Sequence, residues 1–257
     1  MPGRPTRQSR AGEGAALSAE APPGGPPPHG GKAPHGALYG RRKGKALRKG
    51  QQDLLATLLP RLRLPDAGPV EPKTLFGPLP DRAPVILEIG FGGGEHLAAE
   101  ARARPEARLI GCEPFVNGMA KLLATIQREG LSNIRLWDGD ATALLPRLAE
   151  ASLDVVYLLY PDPWPKRRQR KRRFLSDDTL AAFARILRPG GELRFATDID
   201  DYAGWALARA LRSPALAWTA ERPDDWRRPW PGWPGTRYEA KAAAEGRKPS
   251  YLTFRRT

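Results

Sequence analysis

The sequence predicts an α/β fold in which a mostly parallel, doubly wound sheet ends in a C-terminal antiparallel strand. Three observations support this fold class. From residue 85 onward, short apolar runs alternate with helical patterns, as expected of repeated β-α units. The run 155–160 is apolar throughout, which is typical of a strand buried on both faces. Two further short runs, 216–219 and 250–255, add strands near the C-terminus.

The elements follow one another in a regular order. Strands are expected at 85–89, 107–112, 134–137, 154–160, 192–196, 216–219 and 250–255. Helices are expected at 95–103, 115–129, 141–149, 177–187 and 201–212. In the second helix the apolar residues recur on one face, at Met119, Leu122, Leu123 and Ile126. Helix 177–187 begins after Ser176, a good N-cap, and ends before the helix-terminating run Arg188-Pro189-Gly190-Gly191.

Composition divides the chain into two parts. Residues 1–36 are rich in Pro, Gly, Ala and Ser and predict a disordered tail, because such a segment cannot bury enough apolar surface. Residues 37–257 form the predicted folded domain, which is long enough for one substantial core. A basic patch at Arg41–Lys45, with Arg48 and Lys49, fits either a solvated arm or a contact with phosphates.

Charge and residue counts limit the function further. There are 42 Lys and Arg residues against 28 Asp and Glu, and the net charge of +14 favours a polyanionic partner. One cysteine and three scattered histidines predict neither a disulfide framework nor a metal site. No apolar run approaches the roughly 18 residues that span a membrane, and no secretory signal is evident. We therefore expect a cytoplasmic protein without a metal or a membrane partner; its oligomeric state is left open.

A glycine turn follows the first predicted strand. In Glu88-Ile89-Gly90-Phe91-Gly92-Gly93-Gly94 the glycines let the backbone approach a ligand closely. The third glycine of a dinucleotide-binding motif is replaced by Glu95, whose carboxylate at a helix N-terminus would repel a pyrophosphate. A cofactor that carries a cationic sulfonium and no phosphate fits this turn better.

Acidic residues follow or close several of the strands. Glu88, Glu113, Asp162 and Asp198 should line one rim, because ligands of open parallel sheets bind beyond the carboxyl ends of the strands. Glu88 can stabilise the sulfonium charge, Glu113 can accept hydrogen bonds from a ribose diol, and Asp140 can contact an adenine amine. Each acid alone could be a helix N-cap or a solvated charge. Together with the glycine turn, they resemble the class I S-adenosylmethionine-dependent methyltransferases.

The fourth long strand leads into a stiff turn and then a basic segment. Tyr160-Pro161-Asp162-Pro163-Trp164-Pro165-Lys166 presents one carboxylate, and the segment Arg167–Arg173 has six cations in seven positions. An acid beside a polyanion-binding segment suggests chemistry on nucleic acid. The alternatives are a solvated basic loop and, for Trp164, an anchor to the core rather than the wall of a base pocket. The cations proposed to contact RNA phosphates are Arg167, Arg168, Arg170, Lys171, Arg172 and Arg173.

The motifs also resemble one family. In order, they are Leu87–Gly92, Gly111–Glu113, Gly130–Arg135, Tyr160–Trp164, Lys171–Arg173, Ala196–Asp198 and Thr236–Glu239. This series looks like the bacterial tRNA (guanine-N7-)-methyltransferases over residues 38–257. The resemblance implies a Rossmann-like class I methyltransferase fold, S-adenosylmethionine as methyl donor, and a guanosine in the tRNA variable loop as substrate.

The resemblance also implies roles for individual residues. The expected cofactor-binding set, with the turn glycines, is Glu88, Gly90, Gly92, Glu113, Asp140 and Asp162. Asp162 is also the expected catalytic residue. The expected substrate contacts are Lys166, Asp198, Thr236, Arg237, Tyr238 and Glu239. Pro165 departs from the polar step usual in the family, and the loop Trp226–Trp233 matches no family motif.

The chemistry implied needs little from a general base. Guanine N7 keeps an in-plane lone pair, so direct in-line displacement on the methyl is possible, and the residues supply position and charge. Asp162 suits both roles, while Tyr238 could stack on the base or pack in the core. Three rivals remain: a non-catalytic RNA-binding protein, an NAD-dependent oxidoreductase, and a methyltransferase for small molecules or proteins. The strand-end acids, Glu95 and the basic segment respectively argue against them.

Overall fold

The computed structural model describes Gly3 and residues 42–77, 80 and 82–257. In this part of the chain, strands lie at Val85–Ile89 (β1), Arg108–Cys112 (β2), Ile134–Trp137 (β3), Leu153–Leu159 (β4), Leu187–Thr197 (β5), Leu216–Trp218 (β6) and Ser250–Arg256 (β7). The α-helices lie at Lys49–Thr57 (α1), Leu59–Leu62 (α2), Glu95–Ala103 (α3), Val116–Glu129 (α4), Ala141–Leu144 (α5), Asp177–Ile186 (α6), Asp200–Ala210 (α7), Asp224–Arg227 (α8) and Arg237–Ala244 (α9). Short 3₁₀ helices lie at Pro72–Leu75, Leu145–Arg147 and Arg167–Arg172.

The strands form a single sheet in the order β3-β2-β1-β4-β5-β7-β6. Strands β1 to β5 pair in parallel, and β7 runs antiparallel to both β5 and β6. The predicted fold class, a mostly parallel sheet with a C-terminal antiparallel strand, is confirmed. Because β1 has β2 on one side and β4 on the other, the strand order reverses there. A ligand crevice is expected at the carboxyl ends of β1 and β4.

Helices cover both faces of the sheet. Neighbouring residues of β1 point to opposite faces, so Ile86 belongs to the core cluster that contains Leu122 of α4, while Leu87 belongs to the one that contains Phe183 of α6. The first face is completed by α1 and α3, and the second by α5 and α7. All five residues of β1 and all five of β2 are buried, as expected of central parallel strands.

Two predicted elements were wrong in their extent. The helix expected at 141–149 is instead α5 followed by a 3₁₀ turn, since Pro146 cannot donate the hydrogen bond that would continue an α-helix. The strand expected at 192–196 begins earlier, at Leu187, which pairs with Leu153 before a shift in register. Helices α1, α2, α8 and α9 were not predicted; α2 and α8 are only four residues long.

The N-terminal predictions are tested only in part. The tail expected over residues 1–36 lies outside the described residues apart from Gly3, and so does Arg41. The rest of the basic patch is tied to the start of α4: Asn117 accepts a hydrogen bond from Gly44 N (2.7 Å) and donates one to Lys45 O (2.7 Å). Among the described residues, no helix is long and apolar enough to cross a membrane.

Candidate active site

The glycine turn leads from β1 directly into α3. Gly90, Gly92 and Gly94 have φ angles of +73°, +58° and +79°, a left-handed conformation that costs little only without a β-carbon. No atom lies within 4 Å of the position that a β-carbon would take on Gly90. The backbone at Gly90 therefore borders open space that a ligand can enter.

Helix α4 supports this turn from below through Gly118. A β-carbon on Gly118 would stand 2.0 Å from Gly92 O and 3.5 Å from Glu113 Cγ. The turn and the helix can therefore pack this closely only with glycine at position 118. Gly118 was not among the site residues expected from the sequence, although a lone glycine within an amphipathic helical pattern is a signal of close packing.

Two of the strand-end acids line the crevice next to the turn. Glu113 accepts hydrogen bonds from Gly92 N (2.7 Å) and Phe115 N (2.9 Å), so it fixes the turn as well as facing the crevice. Burial raises the pKa of Glu113 despite these two donors. Asp140 caps the start of α5, where its Oδ1 accepts from Thr142 N (2.9 Å). Both acids retain oxygen lone pairs for a ligand.

Glu88 is placed differently from the other acids. Its side chain is buried at 2% exposure and is absent from the wall of the crevice. His96 Nδ1, in α3, donates a hydrogen bond to Glu88 Oε2 at 2.8 Å. Burial alone would lower the pKa of His96, but the charges of Glu88 and Glu100 outweigh it and the pKa is raised. Glu88 therefore forms a buried hydrogen bond with His96 beneath the glycine turn.

The turn after β4 presents Asp162 to solvent. Tyr160 and Trp164, on either side of Pro161-Asp162-Pro163, have φ angles of +48° and +42°, which are strained for residues with a β-carbon. Asp162 is exposed, and its carboxylate forms no hydrogen bond or ion pair with the described residues. The backbone thus holds in place an exposed carboxylate that is available to a ligand.

One pocket joins the glycine turn to the Asp162 turn. Its volume is about 410 Å³. The expected site residues that it brings together are Gly90, Gly92, Glu113, Asp140, Asp162, Arg237 and Tyr238. The other aromatic or charged residues of the wall are Phe115, Tyr160, Trp164, Arg172 and Phe174. Trp164 lies in this wall with Arg172 stacked over its ring, 5.0 Å from the centroid.

The segment 236–239 begins α9 and divides into two pairs. Thr236 caps the helix by accepting from Glu239 N (3.1 Å). Glu239 accepts from Trp233 Nε1 (2.6 Å) and from the Tyr251 hydroxyl, so its carboxylate is held inside the protein. Arg237 and Tyr238 face the pocket instead, and Tyr238 is 46% exposed, so it does not pack in the core.

The tryptophan-rich loop has a structural explanation. Trp230 and Trp233 stand edge to face, 5.4 Å between ring centroids, and Trp233 lies 4.8 Å from the His96 ring. Trp230 Nε1 donates to Thr253 Oγ1 on β7 at 2.8 Å. The loop therefore closes over the buried His96–Glu88 pair and connects it to Glu239.

Besides Thr236 and Glu239, two further expected substrate residues lie outside the pocket. Asp198, just after β5, accepts a hydrogen bond from Arg247 Nε at 2.6 Å. Lys166 is exposed at the start of the 3₁₀ helix Arg167–Arg172. The structure therefore brings neither side chain to the wall that contains Asp162.

The basic segment is not uniform. Arg173 has a fully buried side chain that donates to Pro163 O (2.8 Å) and Asp201 Oδ2, and it stacks on Tyr202 and Trp205. It therefore supports the Asp162 turn from inside. Arg170 pairs with Asp201 (2.6 Å). The exposed cations are Arg167, Arg168 and Lys171.

Comparison with known proteins identifies the family. A family model described as a putative methyltransferase matches residues 82–251. The Nitrobacter winogradskyi protein named tRNA (guanine-N(7)-)-methyltransferase is 56% identical over 223 residues, which cover 86% of this chain and 86% of that protein. The Agrobacterium fabrum protein of the same name is 55% identical over 219 residues, 85% of this chain and 94% of that one. The chain belongs to the tRNA (guanine-N7-)-methyltransferase family. The predicted family and enzyme class are confirmed.

One solved structure of similar fold has low sequence identity to this chain. The 16S rRNA methyltransferase KamB gives a TM-score of 0.49 at 16% identity, covering 68% of this chain and 88% of that one. The family assignment depends on the relatives of high identity alone.

Proposed function

We propose that this enzyme transfers a methyl group from S-adenosylmethionine to N7 of a guanosine in the tRNA variable loop. The observation that carries the proposal is the single pocket that joins the glycine turn, Glu113 and Asp140 to Asp162 and Trp164. The half of the pocket at the glycine turn suits a nucleoside cofactor, and the half at Asp162 suits a base. The family assignment supports the substrate class, and the choice of the variable loop follows the family resemblance.

The residues present fit S-adenosylmethionine. The pocket wall contains the carboxylates of Glu113 and Asp140, which would repel phosphates. The open backbone at Gly90 lets a nucleoside approach closely, so a nucleoside without phosphates is favoured. Glu113 and Asp140 can accept hydrogen bonds from the ribose diol and the adenine amine. Glu88 contributes from below the turn, where with His96 it fixes the end of β1. When bound, S-adenosylmethionine supplies an electrophilic methyl group on a positively charged sulfur.

The pocket acts by positioning the guanine base and by placing negative charge near it. Guanine N7 has a lone pair in the ring plane at neutral pH, so it can accept a methyl group by in-line displacement without a general base. Asp162 accepts hydrogen bonds from guanine N1–H or the N2 amine and places negative charge near a base that becomes cationic. Trp164 and Tyr238 offer aromatic faces on which the base stacks.

Exposed cations next to the pocket are suited to hold the tRNA backbone. Arg167, Arg168 and Lys171 project from the 3₁₀ helix that follows the Asp162 turn. Arg170 and Arg172 remain in the proposed set, although they also contact Asp201 and Trp164. Arg173 is left out because its guanidinium is fully buried. Lys166 and Asp198 are proposed to contact RNA outside the pocket.

The proposal is tested by incubating the enzyme with unmodified tRNA and methyl-labelled S-adenosylmethionine. The nucleosides are then separated and the labelled position is mapped along the tRNA. We expect label in 7-methylguanosine at one variable-loop position. Label in another nucleoside would refute the target atom, and label in another part of the tRNA would refute the variable-loop site. Tight tRNA binding without any transfer would favour a non-catalytic RNA-binding protein.

A further inference from the structure

Arg237 lies over the glycine turn. Its Nη2 is 3.6 Å from the position that a β-carbon would take on Gly92. The same nitrogen donates to the Tyr238 hydroxyl at 3.0 Å, and the guanidinium stacks on that ring, 4.9 Å from the centroid. Two contacts with Tyr238 thus fix an arginine at the cofactor end of the pocket.

No carboxylate of the described residues pairs with Arg237. The ion pairs of this part of the chain include none to its guanidinium, although Glu113 is near enough for Arg237 to lower its pKa. An exposed arginine needs no partner, but this one borders a pocket and is oriented by a neighbouring ring. It is therefore available to an anion bound in the pocket.

Two cations face this pocket, and they stand at different ends. Arg172 stacks on Trp164, beside Asp162. Arg237 is next to Gly92. The carboxylates Glu113, Asp140 and Asp162 make the rest of the charged wall acidic and would repel an anionic group. An anion at the glycine-turn end therefore has one charged side chain suited to receive it.

We propose that Arg237 binds the α-carboxylate of the methionine part of the cofactor. This inference rests on the proposed function, since it takes S-adenosylmethionine as the cofactor. The cofactor carries one anionic group among several cationic or neutral ones, and Arg237 complements it with a guanidinium that can bind a carboxylate through two hydrogen bonds. A residue expected from the family resemblance to contact the substrate is thereby assigned to the cofactor.

The test compares two ligands that differ only in the carboxylate. Calorimetry gives the Kd of S-adenosylmethionine and of its decarboxylated form for the wild-type enzyme and for Arg237→Ala and Arg237→Lys. We expect Arg237→Ala to weaken S-adenosylmethionine binding by about 10- to 100-fold, the usual loss for a charge-assisted hydrogen bond. The Kd of the decarboxylated form should stay within about twofold. Arg237→Lys should recover part of the affinity, because it restores charge without the paired donors.

Lys241→Ala is the matched control, since Lys241 is an exposed cation of the same helix outside the pocket. It should change neither Kd. Equal losses for both ligands, or no loss with a raised tRNA KM, would overturn the carboxylate role of Arg237 while leaving the proposed function intact. Failure of the folded wild-type enzyme to bind S-adenosylmethionine would instead refute the proposed cofactor, and this inference with it.

Discussion

The ends of β1 and β4 each contribute an acid at the same kind of position, yet the two acids differ in almost every physical respect. Glu88 is buried and paired with His96 at 2.8 Å. Asp162 is exposed on a turn whose flanking residues have positive φ angles, and it has no partner among the described residues. The strand-end rule locates both acids but does not distinguish them. The neighbours supplied by other elements decide whether an acid stabilises the site or acts in it.

The largest effect is expected at Asp162. Asp162→Ala should lower the rate of methyl transfer by at least about 100-fold, because it removes a charge and an acceptor placed for the developing cation. The melting temperature should remain near that of the wild-type enzyme, since no internal contact is lost. Single-turnover methyl transfer and thermal unfolding measure the two quantities. A stable variant with wild-type turnover would contradict the assigned role.

At Glu88 the main effect should be on stability rather than on the rate of methyl transfer. Glu88→Ala leaves His96 buried beside Glu100 and without its main partner, and a buried donor left unsatisfied costs about 1–3 kcal/mol of unfolding free energy, more if it is charged. Glu88→Gln keeps a hydrogen-bond acceptor and should lose less. Urea unfolding gives these values. If Glu88→Ala unfolds like the wild-type enzyme and loses only cofactor affinity, the contrast between the two acids fails.

Two glycines, Gly118 within α4 and Gly130 at its C-cap, test whether the glycine turn depends on close packing. In Gly118→Ala the new β-carbon would stand 2.0 Å from Gly92 O, so the turn must move by about 1 Å. We expect the Kd of S-adenosylmethionine to rise by about 10- to 100-fold, a usual consequence of such a misplacement. Gly130→Ala is the control: its φ is +65° but no atom lies within 4 Å. It should cost about 1–2 kcal/mol of stability and leave the Kd unchanged.

A smaller effect separates two arginines of the basic segment. Arg168→Ala should lower the log-log slope of tRNA affinity against salt concentration by about 0.7–0.9, the value for one lost phosphate contact. Arg173→Ala should instead destabilise the fold, because its guanidinium holds Pro163 O and Asp201. Filter binding at several salt concentrations and thermal unfolding measure the two. A full slope change in folded Arg173→Ala would mean that this arginine reaches the RNA after all.

The sequence was sufficient to predict those features that one strand, helix or turn determines by itself. The glycine turn, the alternating elements and the strand-end acids follow from local patterns, and the structure places Gly90, Gly92, Glu113, Asp140 and Asp162 at one pocket. What could not be predicted depends on contacts between distant segments. The contact of Glu88 with His96 is covered by Trp233, which lies against the His96 ring but is more than 100 residues away in the sequence.

The same limit applies within single motifs. Composition does not distinguish Arg173 from Arg168, because the burial of Arg173 depends on its contacts with Asp201, Tyr202 and Trp205 of α7. Likewise, the four residues 236–239 form one motif in the sequence. The capping geometry of α9 turns Glu239 inward and leaves Arg237 at the pocket. Side-chain direction at a helix start is set by the tertiary structure, which a motif does not record.

The smallest effect is expected in the pH dependence of stability, through His96, the partner of Glu88. The pKa of His96 is raised above its ordinary value of 6.5 in the folded enzyme. The groups that face it are Glu88, Glu100, Arg104, Tyr157 and Trp233. A raised histidine pKa contributes stability that is fully present below pH 6.5 and is lost as the pH rises through the folded-state pKa. We therefore expect the unfolding free energy to fall from neutral to mildly alkaline pH.

His96→Gln isolates this contribution, because glutamine can donate to Glu88 but does not titrate. Urea unfolding at a series of pH values from 6 to 8.5 should show a decline for the wild-type enzyme that is reduced in the variant. The range stops there because burial raises the pKa of Cys112 well above 9.0, and that group adds its own dependence at higher pH. The Asp162 turn offers a comparison, since Asp162→Asn should keep the wild-type decline. Parallel curves for wild type and His96→Gln would show that the histidine does not carry charge beneath the glycine turn, and the Glu88 contact would then be a neutral hydrogen bond.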